Sequence, residues 1–277
     1  MLSKKWFSEV NLDSTAFSIK VNKPLAKVES PFQTIEIFNN QRVGNTMVID
    51  GYLMLTAFDN FFYHEMMSHT SLNSHKCPKR VLIIGGGDCG TLQQVLKHDE
   101  VEEVIQVEID EEVTNLAVKF FPELCSNNDD KRANLLFDDG IKWVEDNQHQ
   151  AFDVIIIDSS EPEGPGKELF TSRFYNKCKN ILTDDGIIIH QSGSPIYQPE
   201  QSILVTKEMQ KVFASTSTIT FPVPCYPSGY WSATISCKSK NDFNMKKTTK
   251  LEELKYYNEG IHKACFMNPN FIVKNLT

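Results

Sequence analysis

Apolar and polar positions alternate in short runs along the first sixty residues. Phe17-Ser18-Ile19-Lys20-Val21, Gln33-Thr34-Ile35-Glu36-Ile37-Phe38 and Met47-Val48-Ile49 have the alternation, or the β-branched character, of half-buried strands. Asn39-Asn40 and Asp50-Gly51 stand where hairpin turns belong, and Asp-Gly between apolar runs is a strong hairpin signal. A small antiparallel sheet is expected. From Asn60 to Ser71 the period becomes helical, through Phe61, Phe62, Met66 and Met67, until Cys77-Pro78 breaks it. The domain junction is placed here, with a β-rich unit over 1–60 and a second unit over 61–277.

After Arg80 the pattern changes again. Val81-Leu82-Ile83-Ile84, Val104-Ile105-Gln106-Val107, Asn134-Leu135-Leu136-Phe137, Val154-Ile155-Ile156-Ile157 and Ile187-Ile188-Ile189 are short apolar runs. Helical segments separate them: one through Val95-Leu96-Lys97, one from Glu111 to Phe121, one near Ile141 to Glu145, and one from about Leu169 to Leu182. Strands this apolar are buried on both faces, so the alternation predicts an α/β fold with a parallel, doubly wound sheet. A helix beyond Pro199, a proline-rich stretch at Phe221-Pro222-Val223-Pro224 and a last strand around Trp231 to Cys237 complete it.

Composition narrows the class. The 277 residues hold 28 Lys+Arg and 36 Asp+Glu, a net charge of −8, and 40% are hydrophobic. That is a globular chain long enough for one large α/β unit and an appendage. The acidic excess argues against a nucleic-acid partner, which needs a basic surplus, and favours cationic ones. No apolar run approaches the ~18 residues of a membrane span, so no membrane partner and a cytoplasmic location are expected. The seven cysteines are odd in number and contain no Cys-x-x-Cys pair, which reads as reduced thiols. His64, His69 and His75 have no companion cluster at metal-site spacing, so no metal is expected.

Chemistry concentrates at the strand ends. Gly85-Gly86-Gly87-Asp88-Cys89-Gly90 follows the first strand of the second unit and opens a helix, fitting the Gly-x-Gly-x-x-Gly nucleotide loop through Gly85, Gly87 and Gly90. Glu108 ends the next strand, where an acid accepts both ribose hydroxyls. The other strand-end loops carry Asp138-Asp139-Gly140 and then Asp158, Glu161 and Glu163, with only Lys142 and Lys167 nearby in sequence. A pyrophosphate would meet Asp88 where it requires backbone N–H groups. A sulfonium nucleoside and an amine co-substrate suit this acidic rim better. Turn-forming and helix-capping acids account for any one of these residues, but not for all four strand ends. Asp158, entering a loop rich in proline and glycine that suits a lid, is the candidate base, because an ammonium must lose a proton before it becomes a nucleophile.

With Tyr63-His64-Glu65-Met66, Val81 to Gly90, Val107-Glu108-Ile109-Asp110, Asp138-Asp139-Gly140, Phe152-Asp153-Val154-Ile155 through Asp158-Ser159-Ser160, Gly164-Pro165, Leu169-Phe170, Pro224-Cys225-Tyr226-Pro227-Ser228-Gly229, Tyr256-Tyr257-Asn258 and Ile261-His262-Lys263-Ala264, the chain resembles the polyamine aminopropyltransferases over nearly its whole length. The resemblance implies a Rossmann-like, methyltransferase-type core behind an N-terminal β-domain, in a homodimer or homotetramer. It implies transfer of the aminopropyl group of decarboxylated S-adenosylmethionine, a co-substrate, to putrescine, giving spermidine and methylthioadenosine with no cofactor. By the same resemblance Gln33 contacts the methylthioadenosine part, Glu108 the ribose, and Asp139 with Gly140 the adenine, with Pro165 beside it. Asp88 and Asp158 hold the donor's amine and reacting centre. Tyr63, His64, Asp88, Asp158, Ser159, Ser160, Glu161 and Tyr226 form the acceptor side, with Asp158 taking the proton.

The chain departs from the family pattern at Glu161 (usually Asp), Glu163 (a small apolar residue), Cys89 (Gly), Met54 (Gln), Gln191-Ser192-Gly193-Ser194 (Gln-Gly-Glu-Ser) and the acid-poor segment Thr56 to Asn60. These changes touch the acceptor side more than the donor side. Alternatives are therefore another acceptor (cadaverine, agmatine or spermidine), an S-adenosylmethionine methyltransferase, and a non-catalytic polyamine- or nucleoside-binding protein.

Overall fold

The computed structural model describes residues 5–11, 15–160, 164–246 and 251–276. Two antiparallel sheets come first: β1 (Trp6–Asn11) pairs with β2 (Thr15–Lys20), and β3 (Ala26–Glu29), β4 (Thr34–Asn40), β5 (Gly44–Ile49) and β6 (Tyr52–Thr56) form a meander. The three strands expected here are β2, β4 and β5. β1, β3 and β6 went unread: β3 alternates but has only four residues, and β1 and β6 lack a strict apolar–polar alternation. Asp50 and Gly51 make the tight turn between β5 and β6, both with positive φ. Asn39 and Asn40 are not the turn that was expected. They are the last residues of β4, and Asn40 Oδ1 accepts from the Arg42 and Val43 amides to shape the loop that follows.

A long helix, α1 (Asn60–Ser74), leads into the larger unit. There β7 (Arg80–Gly85), α2 (Gly90–Leu96), β8 (Glu103–Glu108), α3 (Glu111–Phe120), β9 (Ala133–Phe137), α4 (Gly140–Asp146), β10 (Phe152–Asp158), α5 (Ser172–Asn180) and β11 (Leu182–Gln191) alternate. The helix read from Leu169 to Leu182 is two pieces, a 3₁₀ segment over Gly164–Phe170 and then α5, whose N-cap Thr171 accepts from the Phe174 amide. The chain continues through α6 (Pro199–Gln210), β12 (Ser215–Pro222), β13 (Tyr230–Cys237), α7 (Glu259–Ala264) and α8 (Asn270–Leu276).

The large sheet has the order β12-β13-β11-β10-β7-β8-β9. It is mixed, not wholly parallel as the pattern suggested. β7 to β11 run parallel, but β13 is antiparallel to both β11 and β12. A seven-residue link joins β12 to β13, too short for the crossover that parallel neighbours need. The proline-rich stretch supplies the end of β12, where Pro222 is tolerated because β12 is an edge strand. In the centre, Val81 to Ile83, Val154 to Ile157 and Ile187 to Ile189 are wholly buried under helices on both faces.

From β7 the chain runs outward to β8 and β9 and returns on the other side as β10, so the carboxyl ends of β7 and β10 are neighbours whose loops diverge. A crevice forms at such a point. α1 lies against α2, β10, β11 and β12, and every residue from Tyr63 to Ser74 is buried. Glu65 is 1% exposed, and its carboxylate accepts from the backbone amides of Lys255, Tyr256 and Tyr257 at 2.8–2.9 Å. The Tyr256-Tyr257 motif thus serves to tie the chain's end to α1. Among the described residues no helix is long and apolar enough to cross a membrane.

Candidate active site

Asp158 ends β10 opposite Gly85, the last residue of β7. Gly85 has φ +82°, and a Cβ there would overlap the Asp158 carbonyl, so glycine is what lets these strand ends touch. The Gly86 amide donates to that carbonyl at 2.8 Å. The Asp158 side chain is pinned at both oxygens: the Tyr63 hydroxyl donates to Oδ1 at 2.7 Å and the Thr91 hydroxyl to Oδ2 at 2.6 Å.

The second carboxylate, Asp88, leaves the glycine loop on the α2 side. Its Oδ1 accepts from the Gly90 amide at 2.8 Å, and its Oδ2 lies 3.1 Å from His64 Nε2. The His64 ring packs against Gly90, where a Cβ would overlap it. Two neighbouring pairs, Tyr63-His64 on α1 and Gly90-Thr91 on α2, therefore clamp two acids between them. Tyr226 closes the apolar side. Its ring meets Tyr63 edge-on at 6.0 Å and Trp231 at 4.6 Å, and its hydroxyl donates to the Met54 carbonyl at 2.7 Å. That bond ties the wall to the N-terminal sheet.

Burial and the Asp88 charge raise the Asp158 carboxyl above the ordinary aspartate range, against the pull of His64 and the two hydroxyls. For His64 and Asp88, burial opposes charge on each, but their mutual attraction outweighs it, so the imidazole is raised and the Asp88 carboxyl lowered. Burial, with Asp158 beside it, pushes the Tyr63 phenol well up, keeping it a donor. The result is one acid held as an anion and a second made more basic than usual.

At the end of β8, Glu108 is 8% exposed. Its Oε1 accepts from the Asp110 amide at 2.9 Å, and the Gly87 backbone donates to it as well. Burial nevertheless pushes it up to about 7. Gln33, between β3 and β4, donates through Nε2 to Asp110 Oδ2 at 2.9 Å, with Ser30 on the same oxygen at 2.6 Å. Gln33 thus reaches the end of β8 through Asp110, a residue the sequence reading gave no role. Asp139 is exposed and caps α4, Oδ1 accepting from the Ile141 and Lys142 amides. The capping role is real there, and Gly140 opens the helix next to it.

Beyond Asp158, the Ser159 hydroxyl lies 3.4 Å from His190 Nε2, and His190 Nδ1 lies 2.8 Å from the Tyr175 hydroxyl. Burial lowers His190 to about 3, so it is neutral and carries one ring proton. Gln191 Nε2 donates to the Ser159 and Ser160 carbonyls at 3.2 and 3.4 Å. Glu161 and Glu163 lie outside the described residues. Pro165 falls in the 3₁₀ segment that follows.

Among the residues named from sequence, Tyr63, His64, Asp88, Asp158 and Tyr226 with Gly85 and Gly90 thus meet in one cluster, and Gln33, Gly87 and Glu108 meet beside it at the neighbouring strand end. Sequence reasoning missed Thr91, His190 and Gln191, and only the last stood in a quoted motif. Among the described residues no group of three or more His, Cys, Asp or Glu is arranged to hold a metal. All seven cysteines are free.

Comparison with known proteins identifies the family. The spermine/spermidine synthase domain family matches residues 60–247, and the spermidine synthase tetramerisation domain family matches residues 5–57. The chain is 47% identical over 275 residues to a polyamine aminopropyltransferase of Stenotrophomonas maltophilia, covering 98% of this chain and 97% of that one. It is 48% identical over 280 residues to one of Thioalkalivibrio sulfidiphilus, covering 99% of each. Among solved structures, a spermidine synthase in complex with the transition-state analogue AdoDATO superposes with a TM-score of 0.94 at 38% identity, covering 99% of this chain and 96% of that one. Spermidine synthase from Thermotoga maritima does so with a TM-score of 0.92 at 38% identity, covering 98% and 94%. The chain belongs to the polyamine aminopropyltransferase family.

Proposed function

We propose that this enzyme transfers the aminopropyl group of decarboxylated S-adenosylmethionine to putrescine, with Asp158 as the proton acceptor. One observation carries the reading: at the sheet's switch point two carboxylates face a crevice walled by tyrosines, one anionic beside His64 and one made more basic by burial. A donor without a carboxylate presents only positive charge to such a rim. Glu108 accepts the ribose hydroxyls, Gln33 steadies that end through Asp110, and Asp139 with Gly140 and Pro165 receives the adenine.

The acceptor enters as an ammonium. Asp158 takes a proton from it, and the freed nitrogen lone pair attacks the carbon next to the sulfonium. The C–S bond breaks, its electron pair goes to sulfur, and neutral methylthioadenosine leaves. The sulfonium is its own leaving group, so the displacement calls for no cofactor. The Tyr63 and Tyr226 rings sheathe the methylene chain and offer π faces to the ammonium, while Ser159 and Ser160 lie along the acceptor's far side. Orientation and the paired acids supply most of the acceleration. The match of residues 5–57 to a tetramerisation domain supports a homo-oligomer, dimer or tetramer, and seven free thiols favour the cytoplasm.

The test is Asp158→Asn, with product followed by mass for putrescine, cadaverine, agmatine and spermidine. Turnover of putrescine is expected to fall by a factor on the order of 10³ while methylthioadenosine binding stays near wild type. Full activity in the variant would refute the role of Asp158, and faster turnover of another amine would reassign the acceptor.

A further inference from the structure

Asp158 is held by two hydroxyls, and only one of them, that of Tyr63, belongs to the acceptor wall. The other comes from Thr91, on the first turn of α2, which is wholly buried. Inside a helix a threonine can turn its hydroxyl back onto the carbonyl four residues earlier, but Thr91 is the second residue of α2 and has no preceding turn to meet. Thr91 instead crosses to β10 and donates to Asp158 Oδ2 at 2.6 Å. Its chain neighbour Gly90 donates its amide to Asp88 at 2.8 Å. Two consecutive residues of α2 therefore hold the two carboxylates in fixed relation, one from the backbone and one from the side chain.

A carboxylate's last torsion is broad and roughly two-fold, so an aspartate held at one oxygen still swings. We propose that Thr91 is a positioning residue for the transfer: its hydroxyl fixes Asp158 Oδ2 while Tyr63 fixes Oδ1, leaving the remaining lone pairs of each oxygen in one orientation toward the incoming amine. This rests on the reading of Asp158 as proton acceptor. The bond also favours the charged form of Asp158, so Thr91 tempers a basicity that burial and Asp88 drive up. The charged and titratable groups facing Asp158 are Tyr63 and His64 from α1, Asp88 from the glycine loop, Glu108 from β8 and Tyr226 from the β12–β13 link. None of them is altered by a change at Thr91.

Thr91→Val keeps the shape and removes the hydroxyl, and Thr91→Ser keeps the hydroxyl. At saturating donor, so that titration of Glu108 does not enter, kcat of the valine variant is expected to fall about tenfold. The deficit should widen as pH falls, because the acidic limb of its profile moves to higher pH. The KM for the donor and methylthioadenosine affinity should be unchanged, and Thr91→Ser should restore both rate and profile. A merely structural role would lower stability and leave the limb in place. If Thr91→Val fails to fold, Thr91→Ala compared with Thr91→Ser makes the same measurement. An unshifted limb and wild-type kcat in the variant without the hydroxyl, with Asp158→Asn inactive, would overturn the proposal. An active Asp158→Asn would instead remove the reading on which it rests.

Discussion

Glu108→Gln separates what the buried acid does for binding from what it costs the unliganded enzyme. In the folded chain Glu108 titrates near 7, against 4.5 when solvated. A shift of that size, at 1.36 kcal/mol per unit, amounts to about 3 kcal/mol. Burial disfavours the anion, so below pH 4.5 folded and unfolded states both hold the proton and nothing is lost. Between 4.5 and 7 the folded state binds more protons than the unfolded, and stability falls as pH rises. Above 7 the wild type carries the whole deficit, and glutamine removes it. Urea melts of both proteins from pH 4 to 8.5 should therefore start level and diverge to about 3 kcal/mol in favour of the variant. Because every other titrating group is common to both proteins, the difference isolates Glu108. Calorimetry with methylthioadenosine should move the other way. Wild-type affinity should weaken as pH drops below 7 and the carboxylate is protonated. The variant, having lost charge-assisted bonds worth roughly 2 kcal/mol, should bind about thirtyfold more weakly at pH 8 and show little dependence on pH. Parallel stability curves would refute the reasoning, since they would mean that Glu108 ionises in the folded chain as it does in water.

Two further outcomes follow from contacts already described. Glu65→Ala leaves three backbone amides at 255–257 without their acceptor and should cost on the order of 3 kcal/mol, read as a lowered urea midpoint with an unchanged slope. Gly90→Ala puts a methyl group into the His64 ring, which must move and release Asp88. Putrescine turnover should fall at least a hundredfold, and a fully active variant would show that the His64–Asp88 contact is dispensable.

How much of this the sequence discloses depends on which signal each residue leaves. The central strands are legible because burial on both faces writes them as unbroken apolar runs. β12 begins Ser215-Thr216-Ser217-Thr218, and its hydroxyls pair with Thr206 and Ser236, so its buried face is polar and mimics a loop. Asp88, Glu108 and Asp158 were legible since the alternation of strand and helix puts all strand ends on one rim. Thr91 left no trace, because an uncharged residue on a helix acquires a role only when β10 is known to return beside β7. Glu65 shows the same limit in another form. Its motif was visible and its purpose was not, since its partners are backbone amides of whatever residues fold back onto α1.

Those partners lie about 190 positions downstream, and this couples two distant parts of the chain. Until the 255–257 segment docks, the Glu65 carboxylate on α1 lacks the three amides that satisfy it, and burying it there would strand a charge. Tyr63 and His64 share that helix, so the contacts that hold Asp158 and Asp88 depend on the same docking. The geometry around the two acids is thus tied to a stretch of chain that touches neither of them.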